Sequence, residues 1–243
     1  MFKNLIELTK VRIGFLVLTT TIIGFYLGSQ GTINNLLLLY TVLGTLLSST
    51  GSSVMNNVFE SESDKLMDRT KNRVLPTKKI SINTAKILGL SFIIIGLLIL
   101  YLKVNLLTCI LSLATILLYL FLYTPLKRKS WLNTSIGAIP GAIPPLGGWT
   151  AATNSLEWGG IAVFLILFFW QHPHFYSIAY MYKEDYKKAG LKMLPVIDNG
   201  IKRTVLHIFL HALILIPIST LPFFLGVSGR VYFVGAYILS NIY

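Results

Sequence analysis

The sequence predicts an all-α bundle of helices that cross a membrane, and three observations predict it. Hydrophobic residues fill 54% of the 243 positions and charged residues only 12%, about half the charged share of a soluble domain. Mean hydropathy is +0.69. The apolar residues come in runs close to the roughly 20 residues that a helix needs to cross hydrocarbon. The cations are partitioned between loops: of the 21 Lys and Arg, all but Lys103 and Arg230 fall in alternate connections. That asymmetry predicts an N-terminus and long loops on the cytoplasmic side. It also accounts for the formal net charge of +12 without a nucleic-acid partner.

Seven spans and an incomplete eighth follow in order. The first, 13–27, is preceded by Lys3, Lys10 and Arg12, and has no short apolar core with a cleavage site before it. The second, 33–54, runs into the most charged segment of the chain. Spans 87–102 and 106–123 are separated by a short turn around Lys103 and Asn105. The fifth, 132–151, is rich in Gly and Pro, which let helices approach closely or open a groove. The sixth, 161–181, carries Pro173, expected to kink it. The seventh, 205–225, carries His207 and His211 at helical i, i+4 spacing, read as interhelical glue or a functional pair. The last run, 231–243, is too short to cross, so the expectation is an incomplete C-terminal part. No Pro/Ser-rich linker divides the chain, which reads as one domain over 1–243. Cys109, the only cysteine, lies within an apolar run and reads as a packed residue.

Of the nine acidic residues, all but Glu157 lie on the cation-rich side, most of them in two clusters. Carboxylates are expensive at a membrane boundary, so clustering there points to a site. In the first cluster Asn56, Glu60 and Asp64 stand at i, i+4, i+8 and share one helix face. Such a stack of oxygens suits Mg²⁺, which prefers a few carboxylates, water and phosphate oxygens. Arg69, Lys71 and Arg73 follow, and guanidinium forks match phosphate. Together they suggest a metal-bridged diphosphate. The plainer reading is a juxtamembrane loop of solvated charges. Glu62 and Asp68 lie off the strict face.

The second cluster begins at Trp170-Gln171-His172-Pro173-His174-Phe175 and continues to Tyr182-Lys183-Glu184-Asp185-Tyr186. His172 and His174 are expected as metal ligands, acid/base groups or haem-facing groups, or as interfacial His satisfied by backbone carbonyls. Asp185, eleven residues after His174, lies about three turns on if the helix continues. Between the clusters runs Tyr123-Thr124-Pro125-Leu126-Lys127-Arg128, then a Gly/Pro-rich stretch to Trp149.

These residues together resemble the UbiA-type intramembrane prenyltransferases, whose pattern is N-x-x-x-D-x-x-x-D at a helix end and a second acidic motif past a later helix. Here Glu60 replaces the usual first Asp. Within that superfamily four stretches are similar to the protohaem IX farnesyltransferase (haem O synthase) branch. They are Leu8-Thr9-Lys10-x-Arg12, Asn56 through Arg73, Tyr123 through Trp149, and Trp170 through Pro195, in which Tyr182 and Tyr186 flank a lone Glu184-Asp185 pair. Val11 departs from the branch's usual Pro, and the family's nine spans exceed those found here.

The resemblance implies a UbiA-like bundle and transfer of a farnesyl group from farnesyl diphosphate to a vinyl carbon of haem B, giving haem O for haem-copper oxidases. It implies Mg²⁺ on Asn56, Glu60, Asp64 and Asp185, with Glu60, Asp64, Asp185 and His174 in the chemistry. Asn56, Asn57, Arg69, Lys71, Arg73, Lys127, Arg128, Trp170, Tyr182 and Lys183 are implied around the substrates. The setting implied is the inner membrane, or the matrix side of a mitochondrion, with association to haem A synthase or oxidase assembly proteins. The rival readings are a quinone-type acceptor, a non-catalytic haem binder and a transporter. The His-Pro-His segment and the tyrosine-flanked pair count against the first, and acid and cation clusters confined to one face count against the last.

Overall fold

The computed structural model describes residues 2–198 and 200–242, the side chain of Phe2 excepted, and every regular element among them is helical. In order these are α1 (Phe2–Thr9), α2 (Val11–Gly28), α3 (Asn35–Asp64), α4 (Ile82–Lys103), α5 (Leu106–Leu117), a π-helical stretch (Leu118–Tyr123), α6 (Thr124–Leu126), α7 (Asn133–Thr153), α8 (Trp158–Met181), α9 (Lys183–Lys188), α10 (Leu194–Ile197), α11 (Lys202–Phe224) and α12 (Arg230–Ile242). α5, the π stretch and α6 form one continuous rod, Leu106–Leu126. Six helices among the described residues are long and apolar enough to cross a membrane: α2, α3, α4, the α5–α6 rod, α8 and α11. The fifth expected span, α7, is a helix of 21 residues, but its Gly, Pro and Thr dilute its hydropathy. The short last run forms α12, and Tyr243, its expected end, lies outside the described residues.

Local signals start several helices. Asn34, Ser81 and Asn105 cap α3, α4 and α5, their side chains accepting from Leu37 N–H, Thr84 N–H and Thr108 N–H at 3.0, 3.0 and 2.8 Å. Each bond satisfies a donor that the first turn leaves free. α3 runs ten residues beyond its apolar stretch, so the polar residues Asn56, Glu60 and Asp64 remain helical.

Lipid offers no hydrophobic drive for helix association, so close packing by small residues carries it. On the α3–α4 seam a methyl group on Gly51 would stand 2.5 Å from the Gly89 carbonyl oxygen, and one on Gly96 would stand 2.5 Å from the Ser48 nitrogen. α2 and α7 meet in the same way, Gly24 against the Pro145 carbonyl and Gly148 against the Thr21 carbonyl. Polar threads add to the packing. Ser112 Oγ donates to Ser48 Oγ at 3.1 Å, and Asn105 Nδ2 donates to the Thr150 carbonyl at 2.8 Å. α12 lies on α11, with Tyr232 Oη donating to the Ser219 carbonyl at 2.9 Å. Outward faces are studded with exposed Leu, Ile and Phe.

α8 continues through Pro173 as one helix to Met181. It ends there, and α9 is a separate short helix. Asp185 therefore does not extend the face of His174, as an unbroken helix would require.

Candidate active site

The last three turns of α3 carry the polar ladder expected from the spacing. Asn56 and Asp64 are buried, and the Glu60 side chain is nearly so. Each rung meets a group from elsewhere in the chain. Lys10 Nζ donates to Asn56 Oδ1 at 3.0 Å, and Asn56 Nδ2 donates to Thr124 Oγ1 at 3.1 Å. Lys127 Nζ meets Glu60 Oε1 at 2.6 Å. Arg73 Nη1 meets Asp64 Oδ2 at 2.9 Å. Asn57 faces the other way and donates to the Leu8 carbonyl at 2.9 Å, tying α1 to α3.

Three local features aim these cations. Lys10 sits between α1 and α2 at φ 50°, ψ 50°, a left-handed conformation uncommon for a side chain of this size. The sharp elbow points its ammonium at the ladder. Burial pushes Lys10 down to about 8, Arg73 and Lys127 adding to the push while Glu60 and Asp64 oppose it. On the opposite wall the π stretch shifts the register of the rod. Thr124 Oγ1 donates to the Tyr119 carbonyl five residues back, at 2.8 Å. Burial pulls Lys127 down, but the Glu60 carboxylate together with Tyr123 and Tyr119 outweighs it and holds this ammonium well above its ordinary value. Its Nζ also lies 4.4 Å over the Tyr123 ring. The third cation, Arg73, is delivered by the 65–81 loop, where Thr70 Oγ1 donates to the Asp64 carbonyl at 2.9 Å.

Asp185 belongs to a different device. Its two carboxylate oxygens accept from the backbone N–H groups of Asp68 and Arg69, at 3.2 and 3.1 Å. Asp68 bridges Lys71 and Lys188, each at 2.6 Å, and those two bonds hold its carboxyl down to about 2. The Arg69 guanidinium lies 4.9 Å over the Tyr182 ring. The structure thus brings the second acidic motif to the loop of the first, not to its carboxylates. Of the other expected residues, Lys71 is exposed on Asp68, Arg128 is exposed, and Lys183 is half-buried at the start of α9. Glu62 pairs with Lys65 at 2.6 Å on the surface.

Among the described residues no three His, Cys, Asp or Glu side chains gather tightly enough to hold a metal alone. The donor chemistry still fits a hard cation. Asn56, Glu60 and Asp64 present oxygens on one face, and Mg²⁺ takes a few protein oxygens and leaves the rest to water and phosphate. Asp185 would have to leave two N–H groups to join them.

The histidines fall into two settings. His174 stacks on Trp170, centroids 4.8 Å apart, with Phe175 at 5.5 Å. His172, on the same helix, turns inward instead and stacks on His211 of α11 at 4.0 Å. His172 Nε2 meets Ser135 Oγ at 3.1 Å, and Nδ1 meets the Phe168 carbonyl at 2.8 Å. His207 completes the group, 5.9 Å from His211 and 5.7 Å from Tyr176. The glue reading of His207 and His211 thus gains His172 as a partner. Sequence reading assigned no role to Lys10, Tyr119 or Thr124. The Lys10-x-Arg12 signal was in view, whereas the pairing of Glu60 with Lys127 depends on a fold that spacing does not reveal.

Beside the ladder opens a cavity of about 600 Å³ between the α1–α2 elbow and the 65–81 loop. Asp64, Arg69 and Arg73 form its inner wall.

The family model for the UbiA prenyltransferase family matches residues 17–243. A protoheme IX farnesyltransferase of Solibacter usitatus (strain Ellin6076) is 44% identical over 98% of this chain and 85% of its own length. The protein of that name from Aquifex aeolicus (strain VF5) is 41% identical over 99% of this chain and 82% of its own. Among solved structures, a digeranylgeranylglyceryl phosphate synthase superposes with a TM-score of 0.82 at 22% identity, covering 99% of this chain and 84% of that one. A UbiA homolog from Archaeoglobus fulgidus bound to DMAPP and Mg²⁺ superposes at 0.78 and 18% identity, over 98% and 86%. Identities this low speak to the fold alone.

Proposed function

This chain belongs to the UbiA prenyltransferase family, and from that premise we propose that it transfers a farnesyl group from farnesyl diphosphate to a vinyl group of protohaem IX, giving haem O. The observation that carries the reaction class is the α3 ladder, with its carboxylates paired to Lys127 and Arg73 and its asparagine to Lys10. The acceptor follows from relatives 41–44% identical over nearly the whole chain.

The bond that breaks joins farnesyl C1 to the diphosphate oxygen, and the bond that forms joins C1 to the terminal vinyl carbon; the cation left on the inner vinyl carbon then takes up water and releases a proton, so the porphyrin gains a farnesyl and a hydroxyl group. Asn56, Glu60 and Asp64 would hold Mg²⁺, which when bound neutralises charge on the leaving diphosphate. Lys10, Lys127 and Arg73 supply fixed positive charge at the same place and need no rearrangement as charge develops. Asp185 orders the loop that carries Arg69 and Arg73. The bundle around the ladder excludes water from the allylic cation. His174, Trp170 and Tyr182 serve the acceptor side, and Lys71, Lys183 and Arg128 add to the cationic rim. Asn57 fixes α1 beside the site.

The chain is a multi-pass membrane protein. We place it in the inner membrane as one domain over 1–243, its charged end toward the cytoplasm, or the matrix in an organelle, on the distribution of Lys and Arg. An apolar product held in the bilayer favours direct transfer to haem A synthase or oxidase assembly proteins. Membranes containing the protein, incubated with haem, farnesyl diphosphate and Mg²⁺, should yield haem heavier by a farnesyl and a hydroxyl group. Haem recovered unchanged, with a farnesylated quinone precursor formed in a parallel reaction, would replace the acceptor assignment.

A further inference from the structure

The cavity at the α1–α2 elbow has two wall cations, Arg12 and Arg69, to which the diphosphate chemistry above gives no direct contact. Two of its cations, Lys10 and Arg12, come from the elbow, and two, Arg69 and Arg73, come from the loop after α3. Against them stand only Glu7 and Asp64, and Asp64 is already paired with Arg73. The surplus is two positive charges. Apart from Asn57 the remaining wall is aliphatic and includes Leu8, Val11, Ile13 and Leu75. Glu60 and Lys127 do not line it. At about 600 Å³ the cavity lies within the roughly 300–1,000 Å³ of sites that enclose whole small molecules, far larger than a diphosphate head. A prenyl chain has no use for cations, and of the ladder carboxylates that a Mg²⁺-diphosphate needs, Asp64 lines this cavity and Glu60 does not. Two surplus charges on an aliphatic wall suit a broad apolar body with two carboxylates along one edge.

We propose that the elbow cavity binds the propionate-bearing edge of the acceptor, with Arg12 and Arg69 taking the two propionates of the porphyrin while Lys10 and Arg73 border the diphosphate site on α3. This rests on the reaction proposed above and adds where its second substrate sits. Among the described residues Arg12 has no ion-pair partner and its side chain is exposed at the cavity rim, so its fork is open to a ligand. Arg69 is stacked on Tyr182 and makes no ion pair. Both are guanidinium groups, the side chain that meets a carboxylate with two parallel hydrogen bonds. The left-handed backbone at Lys10 sets the elbow, and that turn places Arg12 on the cavity instead of on lipid. The Leu8-Thr9-Lys10-Val11-Arg12 segment thereby acquires a function.

The test titrates haem and its dimethyl ester into the purified full-length protein, following the Soret band, for wild type, Arg12→Gln and Arg12→Lys. Farnesyl diphosphate binding is measured on the same samples and reports that each variant is folded. Arg12→Gln should weaken haem binding about tenfold to a hundredfold, the range for losing a charge-assisted hydrogen bond, and leave farnesyl diphosphate binding unchanged. Arg12→Lys should recover part of the loss. With the dimethyl ester, wild type and Arg12→Gln should bind alike, because the carboxylates that Arg12 reads are gone. If Arg12→Gln weakens farnesyl diphosphate and not haem, the cavity serves the donor and the proposal is overturned. Equal haem affinity in all three proteins overturns it as well. Failure of the reaction itself shows separately: wild type that binds haem but never forms a farnesylated product refutes the proposed function and leaves the haem site standing.

Discussion

At the scale of single residues, each polar rung of the ladder is matched to a group that comes from far away in sequence. Asp64 is buried against Arg73, so Asp64→Asn keeps the shape and removes the charge. It should lower Mg²⁺-dependent turnover about 10²–10³-fold, the usual effect of deleting one electrostatic contact to a transition state, while the protein still inserts. Turnover within threefold of wild type would remove Asp64 from the site. His174 stacks on Trp170 without touching the ladder, so His174→Ala should impair haem binding, seen in the optical spectrum, and spare farnesyl diphosphate. Unchanged affinity, spectrum and turnover would reduce it to a packing residue. The residue scale is also where the sequence was most legible. The i, i+4, i+8 spacing placed Asn56, Glu60 and Asp64 on one face because α3 is regular there. Asp185 was legible as belonging with the first motif but not as binding its backbone, since an acid reads the same in sequence whether it meets a cation or an N–H group.

At the scale of elements, two devices hold the site in register. The first is the small-residue seam of α3 and α4. At Gly51 and Gly96 an added methyl meets backbone atoms of the facing helix, which cannot rotate aside. Gly51→Ala should therefore push the helices apart and cost about 1–3 kcal/mol, the usual range for overpacking, visible as a lower Tm in detergent. No change in Tm would mean that the seam is slack. The second is the π stretch of the α5–α6 rod. One residue turns an α-helix by about 100°, so deleting Leu122 should rotate Thr124 and Lys127 off Asn56 and Glu60 and abolish turnover with the rod still helical by circular dichroism. Sequence reading found the apolar run but not this stretch, because an extra residue per turn leaves hydropathy unchanged. A smaller device starts α11. Asp198 accepts from Thr204 N–H and Oγ1 at 3.0 and 3.1 Å. Desolvation would raise its pKa, but those bonds, with the backbone N–H groups of Gly200 and Arg203, outweigh it and hold the carboxyl below its ordinary value. A depressed carboxyl stabilises above its unfolded pKa and loses that contribution as pH falls through the folded one. Hydrogen exchange at the start of α11 should accordingly quicken in acid for wild type and be pH-insensitive in Asp198→Asn once intrinsic exchange is subtracted.

At the scale of the whole molecule, the fold gathers the start of α2, the end of α3, the end of the α5–α6 rod and the loop after α8 at one end of the bundle. Hydropathy and the Lys/Arg partition made that end legible. Which loops touch within it was not, because contacts such as Asp185 with Asp68 join residues 117 positions apart. Sidedness has a direct test. In a Cys109→Ser background, a cysteine at Ser130 should be labelled only from the cytoplasmic face and one at Asn154 only from the other, and the reverse pattern would invert the topology. The long sequence separations also govern how the chain is made. Glu60 leaves the ribosome 67 residues ahead of Lys127, its partner. At about 5–20 residues per second that is roughly 3–13 s. During that interval a carboxylate near the membrane boundary has no countercharge from the later rod. The second helical hairpin is thus under pressure to follow the first into the bilayer without pause. Slowing translation within codons 65–126 should expose the nascent chain to membrane quality-control proteases, whereas the same pause after codon 130 should be harmless.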